Sequence, residues 1–162
     1  MSRVGIGYDA HRFAAGRRLV LCGVEVEHEL GLDGHSDADV ATHALMDAIL
    51  GVAGLGDIGE LFPDCDPAFE GASSIELLRE VVMRAAAAGW RIGNVDLVLV
   101  LQRPKLAPYR DAMKACLADA LGVQPAAVGI KATTTEGMGF AGRGEGAAAM
   151  AVCQLLSDDE AG

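Results

Sequence analysis

The chain is 162 residues long and 51% apolar, enough for one domain with a sizeable core. Its 23 acidic residues against 13 basic ones leave a formal net charge of −10 with no basic run, which excludes a nucleic-acid partner, since gripping a phosphate backbone requires a basic face. A small phosphorylated ligand stays open if metal ions, or placed cations such as Lys105, Lys131 and Arg143, reverse the field locally.

In chain order, Arg3 to Tyr8 reads as a strand. Asp9 and His11 follow it two residues apart, so their side chains share one face about 7 Å apart along the chain. Arg18 to Cys22 and Val24 to His28 read as a hairpin. Next comes His35-Ser36-Asp37-Ala38-Asp39, in which Ser36 or Asp37 caps a helix from Ala38 to Leu50 whose apolar stripe is Val40, Ala41, Ala44, Leu45, Ala48 and Ile49. That helix puts His43 on its first or second turn, beside Asp39 and Asp47 at one-turn spacing. Asp9, His11 and His43 then offer three ligands and an open fourth position, the pattern of a catalytic zinc site, with Asp47 orienting His43. Taken alone, the same residues also read as a hydrogen-bonded turn and a helix cap.

Ala53 to Ala72, rich in Gly, Pro and Asp, is long for a connector and therefore reads as a functional loop. A helix from Ser74 to Ala88, a strand from Asn94 to Leu101, a helix from Pro108 to Leu121 and a strand from Val128 to Ala132 follow. After that strand, Thr133-Thr134-Thr135-Glu136 presents hydroxyls and N–H groups to phosphate oxygens and a hard carboxylate to magnesium, although threonines also simply favour strands. The glycines from Gly137 to Gly146 argue for close backbone approach to a ligand or a neighbouring subunit. Ala147 to Leu155 is helix-friendly in composition, and its pattern leaves helix and strand open. Strands and helices mix without strict alternation, which favours an α+β single domain over residues 1–157, with an acidic tail at 158–162. Cys22, Cys65, Cys116 and Cys153 are scattered without a C-x-x-C pair and read as reduced thiols of a cytoplasmic protein. No segment resembles a secretory leader or is long and apolar enough to span a bilayer.

Several long motifs in one order resemble the 2-C-methyl-D-erythritol 2,4-cyclodiphosphate synthase family. They are Gly7-Tyr-Asp9-Ala-His11-Arg-Phe13, Gly34-His35-Ser36-Asp37-Ala-Asp39-Val-Ala-x-His43, Leu55-Gly-Asp57-Ile-Gly59-x-Leu-Phe62-Pro-Asp64, and Thr133-Thr-Thr-Glu136-x-Met-Gly-Phe140-x-Gly-Arg143-Gly-Glu145-Gly. The resemblance spans nearly the whole chain. It implies cyclisation of 4-diphosphocytidyl-2-C-methyl-D-erythritol 2-phosphate with release of CMP, in the non-mevalonate route to isoprenoids. It further implies a mixed sheet covered by helices, a three-fold homotrimer with sites between subunits, and a final strand near the trimer axis.

By the same resemblance Asp9, His11 and His43 hold Zn2+, and Glu136 holds Mg2+ or Mn2+ on the substrate diphosphate. His35 and Ser36 match positions that hold the erythritol phosphate, and Thr134 with His35 matches the pair that stabilises the transition state. Asp57, Gly59, Phe62, Asp64 and Asp66 match the erythritol pocket and a mobile lid. Leu101, Gln102, Arg103, Pro104, Lys105, Leu106 and Ala107, with Thr133, Thr134, Thr135 and Glu136, match the cytidine and phosphate contacts. Phe140, Arg143 and Glu145 match the lining of a central cavity for an isoprenoid diphosphate. The pattern departs at Ala10, Cys65 and Glu70, where a valine, a threonine and a lysine are commoner; none of these removes a ligand. Two rival readings are a metal-dependent phosphodiesterase, which would use the same ligands to activate water, and a non-catalytic diphosphate-binding trimer.

Overall fold

Strand β1 (Ser2–Ala14) alternates the exposed Val4, Ile6 and Tyr8 on one face with Gly5 and Gly7 on the other. The glycine face admits a helix at backbone distance: a Cβ on Gly7 would lie 1.9 Å from the Ala44 carbonyl oxygen, and one on Gly5 would lie 2.1 Å from that of Ala48. Helix α1 (Val40–Ala53) therefore lies on the strand and runs against its direction, bringing its N-terminal end over Asp9. The computed structural model describes residues 1–157, and the acidic tail expected at 158–162 lies outside the described residues.

β1 runs past the expected Tyr8 because β7 (Gly146–Ser157) pairs with it antiparallel from Ser2↔Leu156 to Arg12↔Gly146, after which β4 (Gly31–Leu32) pairs with Phe13 and Ala14. Asp9 and His11 thus stand within a strand, where strand alternation puts them on the face that carries α1. The mixed sheet has the order β4-β1-β7-β5-β6; β5 (Trp90–Val100) pairs parallel with β6 (Val128–Thr133), and the remaining pairs are antiparallel. A separate hairpin of β2 (Leu19–Leu21) and β3 (Val24–Val26) occupies the expected place with shorter strands. The segment left open between helix and strand is a strand: Ala147, Ala149, Ala151, Cys153 and Leu155 are buried on its inner face, while Met150 and Val152 are exposed on the other. Small inner residues suit it because α1 also packs across β7.

Helix α1 starts later than expected and ends later, at a left-handed Gly54 cap. Its cap is Asp39, where Ser36 or Asp37 was expected. Asp39 Oδ1 accepts from the Thr42 and Cys22 backbone N–H groups at 3.0 Å each, and Oδ2 accepts from Gly23 N–H and Thr42 Oγ1 at 2.7 Å each. One buried carboxylate thereby ties the β2–β3 turn to the helix start, leaving Ser36 and Asp37 for other partners. The long loop contains a short helix, α2 (Ile58–Leu61), and a 3-10 turn at Pro67–Phe69. Helix α3 (Ser74–Ala87) packs on α1 and β5, and α4 (Arg110–Leu121) packs on α3 and β6. All three long helices contribute to one core, which includes Leu45, Ile49, Leu78, Leu97, Met113 and Leu117. The glycine-rich segment after β6 holds one turn of helix, α5 (Gly139–Gly142). All four cysteines are free.

Candidate metal centre and ligand clefts

Asp9 and His11 project from β1 toward His43 at the N-terminal end of α1, and the glycine-mediated approach of helix to strand closes the gap. Asp9 Oδ2 lies 2.8 Å from His11 Nε2 and 3.1 Å from His43 Nδ1, and the two ring nitrogens are 3.2 Å apart. Ligands about 2.0–2.1 Å from a tetrahedral zinc stand about 3.3 Å from one another, so this triangle has the dimensions of one face of such a site. The tautomers agree with that geometry. A carbonyl only accepts, so His11 Nδ1–H donates to Asp33 O at 2.7 Å, and neutral His11 turns a bare Nε2 lone pair into the triangle. One oxygen and two nitrogens in this arrangement fit a zinc ion, and three protein ligands leave the fourth position of a tetrahedron to another donor. Without a metal, burial alone would raise the Asp9 pKa, but hydrogen bonds from the His11 and His43 rings in their doubly protonated, charged forms hold its carboxyl well below the usual range. His11 is lowered by burial but raised overall by that carboxylate.

Asp47 does not orient His43. Its Oδ1 accepts from Ile58 N–H at 2.8 Å, pinning the start of α2, and burial raises its pKa. The distal nitrogen of His43, Nε2, instead meets Ser74 Oγ at 2.9 Å and Ser36 Oγ at 3.1 Å. Ser36 is buried, and its hydroxyl also accepts from Ala38 N–H at 3.2 Å. The loop carrying Ser36 is clamped on both sides: Arg17 Nη2 donates to Ser36 O at 2.7 Å, and Gly71 N–H donates to His35 O at 2.9 Å.

Two cavities flank this loop. A small one of about 40 Å³ beside His43 is lined by His35, Ser36, Phe62 and Asp64, together with Met46, Ile58, Phe69 and Leu77. Sequence reasoning missed its apolar wall, because nothing local to an apolar helical residue such as Met46 or Leu77 shows that it faces a cavity and not the core. Phe62 and Phe69 meet edge to face at 5.3 Å, closing the loop over it. Asp57 and Asp66 cap the two short helical turns of this loop, through Glu60 N–H and Ala68 N–H at 2.9 Å each, and Gly59 lies in the first of them. A second cavity of about 560 Å³ lies across the loop and includes Arg17, Arg18, His35, Asp37 and Glu70. Cys65 and Glu70 are both exposed.

At the far edge of the sheet, Leu101, Gln102, Pro104, Lys105, Leu106 and Ala107 line a cleft of about 240 Å³ with Thr133 and Thr134. A neighbouring cleft of about 790 Å³ adds Arg103, His28 and Glu29. Thr134 Oγ1 donates to Glu136 Oε1 at 3.2 Å, and Glu136 adopts a left-handed φ of 53°, a strained conformation that turns its carboxylate back over the threonines. Thr135 bonds to Met138 O. Lys131 pairs with Asp96, and Arg143 pairs with Glu145 at 2.8 Å, whereas Arg103 and Lys105 have no ion-pair partner among the described residues. Phe140 and Arg143 stand exposed on and just after α5. The Asp9, His11, His43 group and the Thr133–Glu136 turn are not brought together: β7 and β5 separate β1 from β6, which is about 14 Å at ordinary strand spacing.

A sequence profile of the YgbB family matches residues 2–156. The chain is 62% identical over 153 residues to the bifunctional enzyme IspD/IspF of an Anaeromyxobacter species, covering 94% of this chain and 39% of that protein. The chain thus spans well under half the length of such bifunctional relatives. It is 55% identical over 160 residues to the 2-C-methyl-D-erythritol 2,4-cyclodiphosphate synthase of Moorella thermoacetica, covering 99% of this chain and 98% of that one. Among solved structures, the bifunctional IspDF of Campylobacter jejuni superposes with a TM-score of 0.94 at 41% identity, over 99% of this chain and 44% of that chain. A CDP-bound form of 2C-methyl-D-erythritol-2,4-cyclodiphosphate synthase superposes with a TM-score of 0.88 at 41% identity, over 95% and 100% of the two chains.

Proposed function

This chain belongs to the YgbB family, and from that premise we propose that it is a 2-C-methyl-D-erythritol 2,4-cyclodiphosphate synthase, a phosphorus–oxygen lyase of the non-mevalonate isoprenoid pathway. The substrate is 4-diphosphocytidyl-2-C-methyl-D-erythritol 2-phosphate. An oxygen of its 2-phosphate attacks the β-phosphorus; the bond from that phosphorus to the α,β-bridging oxygen breaks, and CMP leaves with that oxygen. No water enters, so the protein must fold a flexible polyanion until nucleophile and target are in line. The observation that carries the reading is the triangle of Asp9 Oδ2, His11 Nε2 and His43 Nδ1, with edges of 2.8 to 3.2 Å.

Asp9, His11 and His43 would hold zinc, and Glu136 would hold magnesium or manganese; when bound, these ions polarise the diphosphate and absorb charge on the leaving group. His35 beside the small cavity binds the erythritol phosphate, and the Phe62–Phe69 lid excludes water from it. Arg103 and Lys105, unpaired within the described residues, are available to the nucleotide, and Thr134 stands next to them to steady the reacting phosphates. The separation of that cleft from His43 supports a homotrimer in which one copy supplies the histidines and its neighbour the threonine turn. Phe140 and Arg143 would face a central cavity that takes an isoprenoid diphosphate. Among the described residues no helix is long and apolar enough to cross a membrane, and a cytoplasmic location belongs to the same proposal.

Incubation with the cytidine diphosphate substrate tests the reading. Cyclic diphosphate plus CMP is the expected product; a ring-free hydrolysis product would favour the phosphodiesterase, and unchanged substrate the binding module. His43→Ala should lose zinc in elemental analysis and lower kcat by roughly a hundredfold or more while keeping its far-ultraviolet spectrum. Retained metal and turnover in that variant contradict the assignment.

A further inference from the structure

We infer that Ser74 and Asp37 are positioning residues that fix the tautomer of His43 and so prepare Nδ1 to bind metal, an inference that rests on the metal reading above. Ser74 opens α3, is fully buried and lies far from His43 in sequence, yet its Oγ stands 2.9 Å from His43 Nε2. The same hydroxyl is hydrogen-bonded to Asp37 Oδ1, and Asp37 Oδ2 accepts from Ser74 N–H at 3.0 Å.

The direction of this chain follows from what each group is able to do. An ionised carboxylate only accepts, so the Ser74 hydroxyl must donate its one proton to Asp37. What remains on Ser74 Oγ is acceptor capacity, so the hydrogen bond to His43 requires the proton on Nε2. With Nε2 protonated, the neutral imidazole presents a bare Nδ1 lone pair, 3.1 Å from Asp9 Oδ2 and 3.2 Å from His11 Nε2. The opposite tautomer would put two lone pairs face to face between His43 and Ser74. It would also turn a hydrogen into the space between His11 and Asp9 where a cation belongs.

Asp37 acts on His43 through this hydroxyl: its charge polarises Ser74, and Ser74 makes Nδ1 a stronger donor. The Asp37 segment is itself held by two further bonds. Its backbone N–H donates to Ala72 O at 3.1 Å, and Asp39 N–H donates to its Oδ1 at 3.2 Å. Ser36 Oγ, also near Nε2, accepts from Ala38 N–H and has no carboxylate to fix its direction, so the Ser74 arm sets the tautomer.

The test is zinc affinity, measured by competition with a chromogenic chelator, together with 15N NMR of the imidazole nitrogens in the metal-free protein at a pH where His43 is neutral. Ser74→Ala should weaken zinc binding ten- to a hundredfold and convert a single Nε2–H tautomer of His43 into a mixture. Ser74→Cys, nearly isosteric but a poor acceptor, should move both readouts the same way and stands in if the alanine variant does not fold. Affinity within twofold of the unmodified chain, or a weakened affinity with an unchanged tautomer, overturns the inference. If the unmodified chain itself binds no zinc, the metal reading fails, and the tautomer measurement still decides the role of Ser74.

Discussion

Asp9 is the residue on which the pH behaviour of the metal-free protein turns. Burial opposes its charge, but hydrogen bonds from the charged rings of His11 and His43 lower its pKa overall, while His11, opposed by burial too, is raised by Asp9. The stabilising contribution of Asp9 is present above its ordinary value of 3.8 and is lost as pH falls through the lower folded value. That of His11 is present below its ordinary value of 6.5 and is lost as pH rises through the raised folded value. In chelator, the chain should therefore exceed Asp9→Asn in urea midpoint most clearly between about pH 4 and 6.5, with the difference shrinking on both sides. A difference independent of pH contradicts the ion-pair account. The triad was legible in the sequence because two of its members share a strand face and the third falls on the start of an obvious amphipathic helix. Ser74 was not, since a serine at a helix start ordinarily reads as a cap and nothing local shows that it reaches residue 43. Asp47 misled for a related reason: helical spacing placed it one turn from His43, but its carboxylate found the unpaired Ile58 N–H first.

At the scale of elements, the site depends on how closely α1 approaches β1. Gly7→Ala would drive a methyl to 1.9 Å from the Ala44 carbonyl oxygen, backbone against backbone, so the helix must lift. The expected cost is about 1–3 kcal/mol or more. Because His43 adjoins Ala44, zinc affinity should fall together with the urea midpoint. At Gly51, within the same helix, a methyl would meet nothing within 4 Å, and φ is not positive, so Gly51→Ala should stabilise the chain by about 0.5–1 kcal/mol without touching zinc affinity. Equal effects of the two substitutions would refute this account of the packing. Periodicity places helix α3 and strand β6 to within a residue, because each has a clear apolar pattern between turn signals. It does not place the ends of β1 and β5. Both are prolonged by pairing with β7, and partner choice in a sheet is non-local, so the pattern of one strand does not reveal where its neighbour stops.

At the scale of the whole molecule, the long helices cover one face of the sheet. On the other, Val4, Ile6 and Tyr8 of β1 stand beside Met150 and Val152 of β7, with Ile6 at 72% exposure. A contiguous apolar strip on a sheet face is the signature of an interface, and a three-fold closure would bury it. The same closure would bring the Thr133–Glu136 turn of one copy to the histidines of the next, a distance no single copy spans. It would also let an acidic chain accept the proposed polyanion: Arg103 and Lys105, which have no ion-pair partner among the described residues, and the candidate metal ligands would converge only across that boundary. Ile6→Glu puts a charge into the strip without touching Asp9, His11 or His43, whose donor atoms all come from one chain. By analytical ultracentrifugation it should be a monomer. It should still bind one zinc per chain with nearly the affinity of the parent, yet have kcat/KM reduced by roughly a hundredfold or more, because positioning across the boundary is lost. A monomeric Ile6→Glu with full turnover would show that one copy holds a complete site. A variant that still assembles would show that the strip is not the interface.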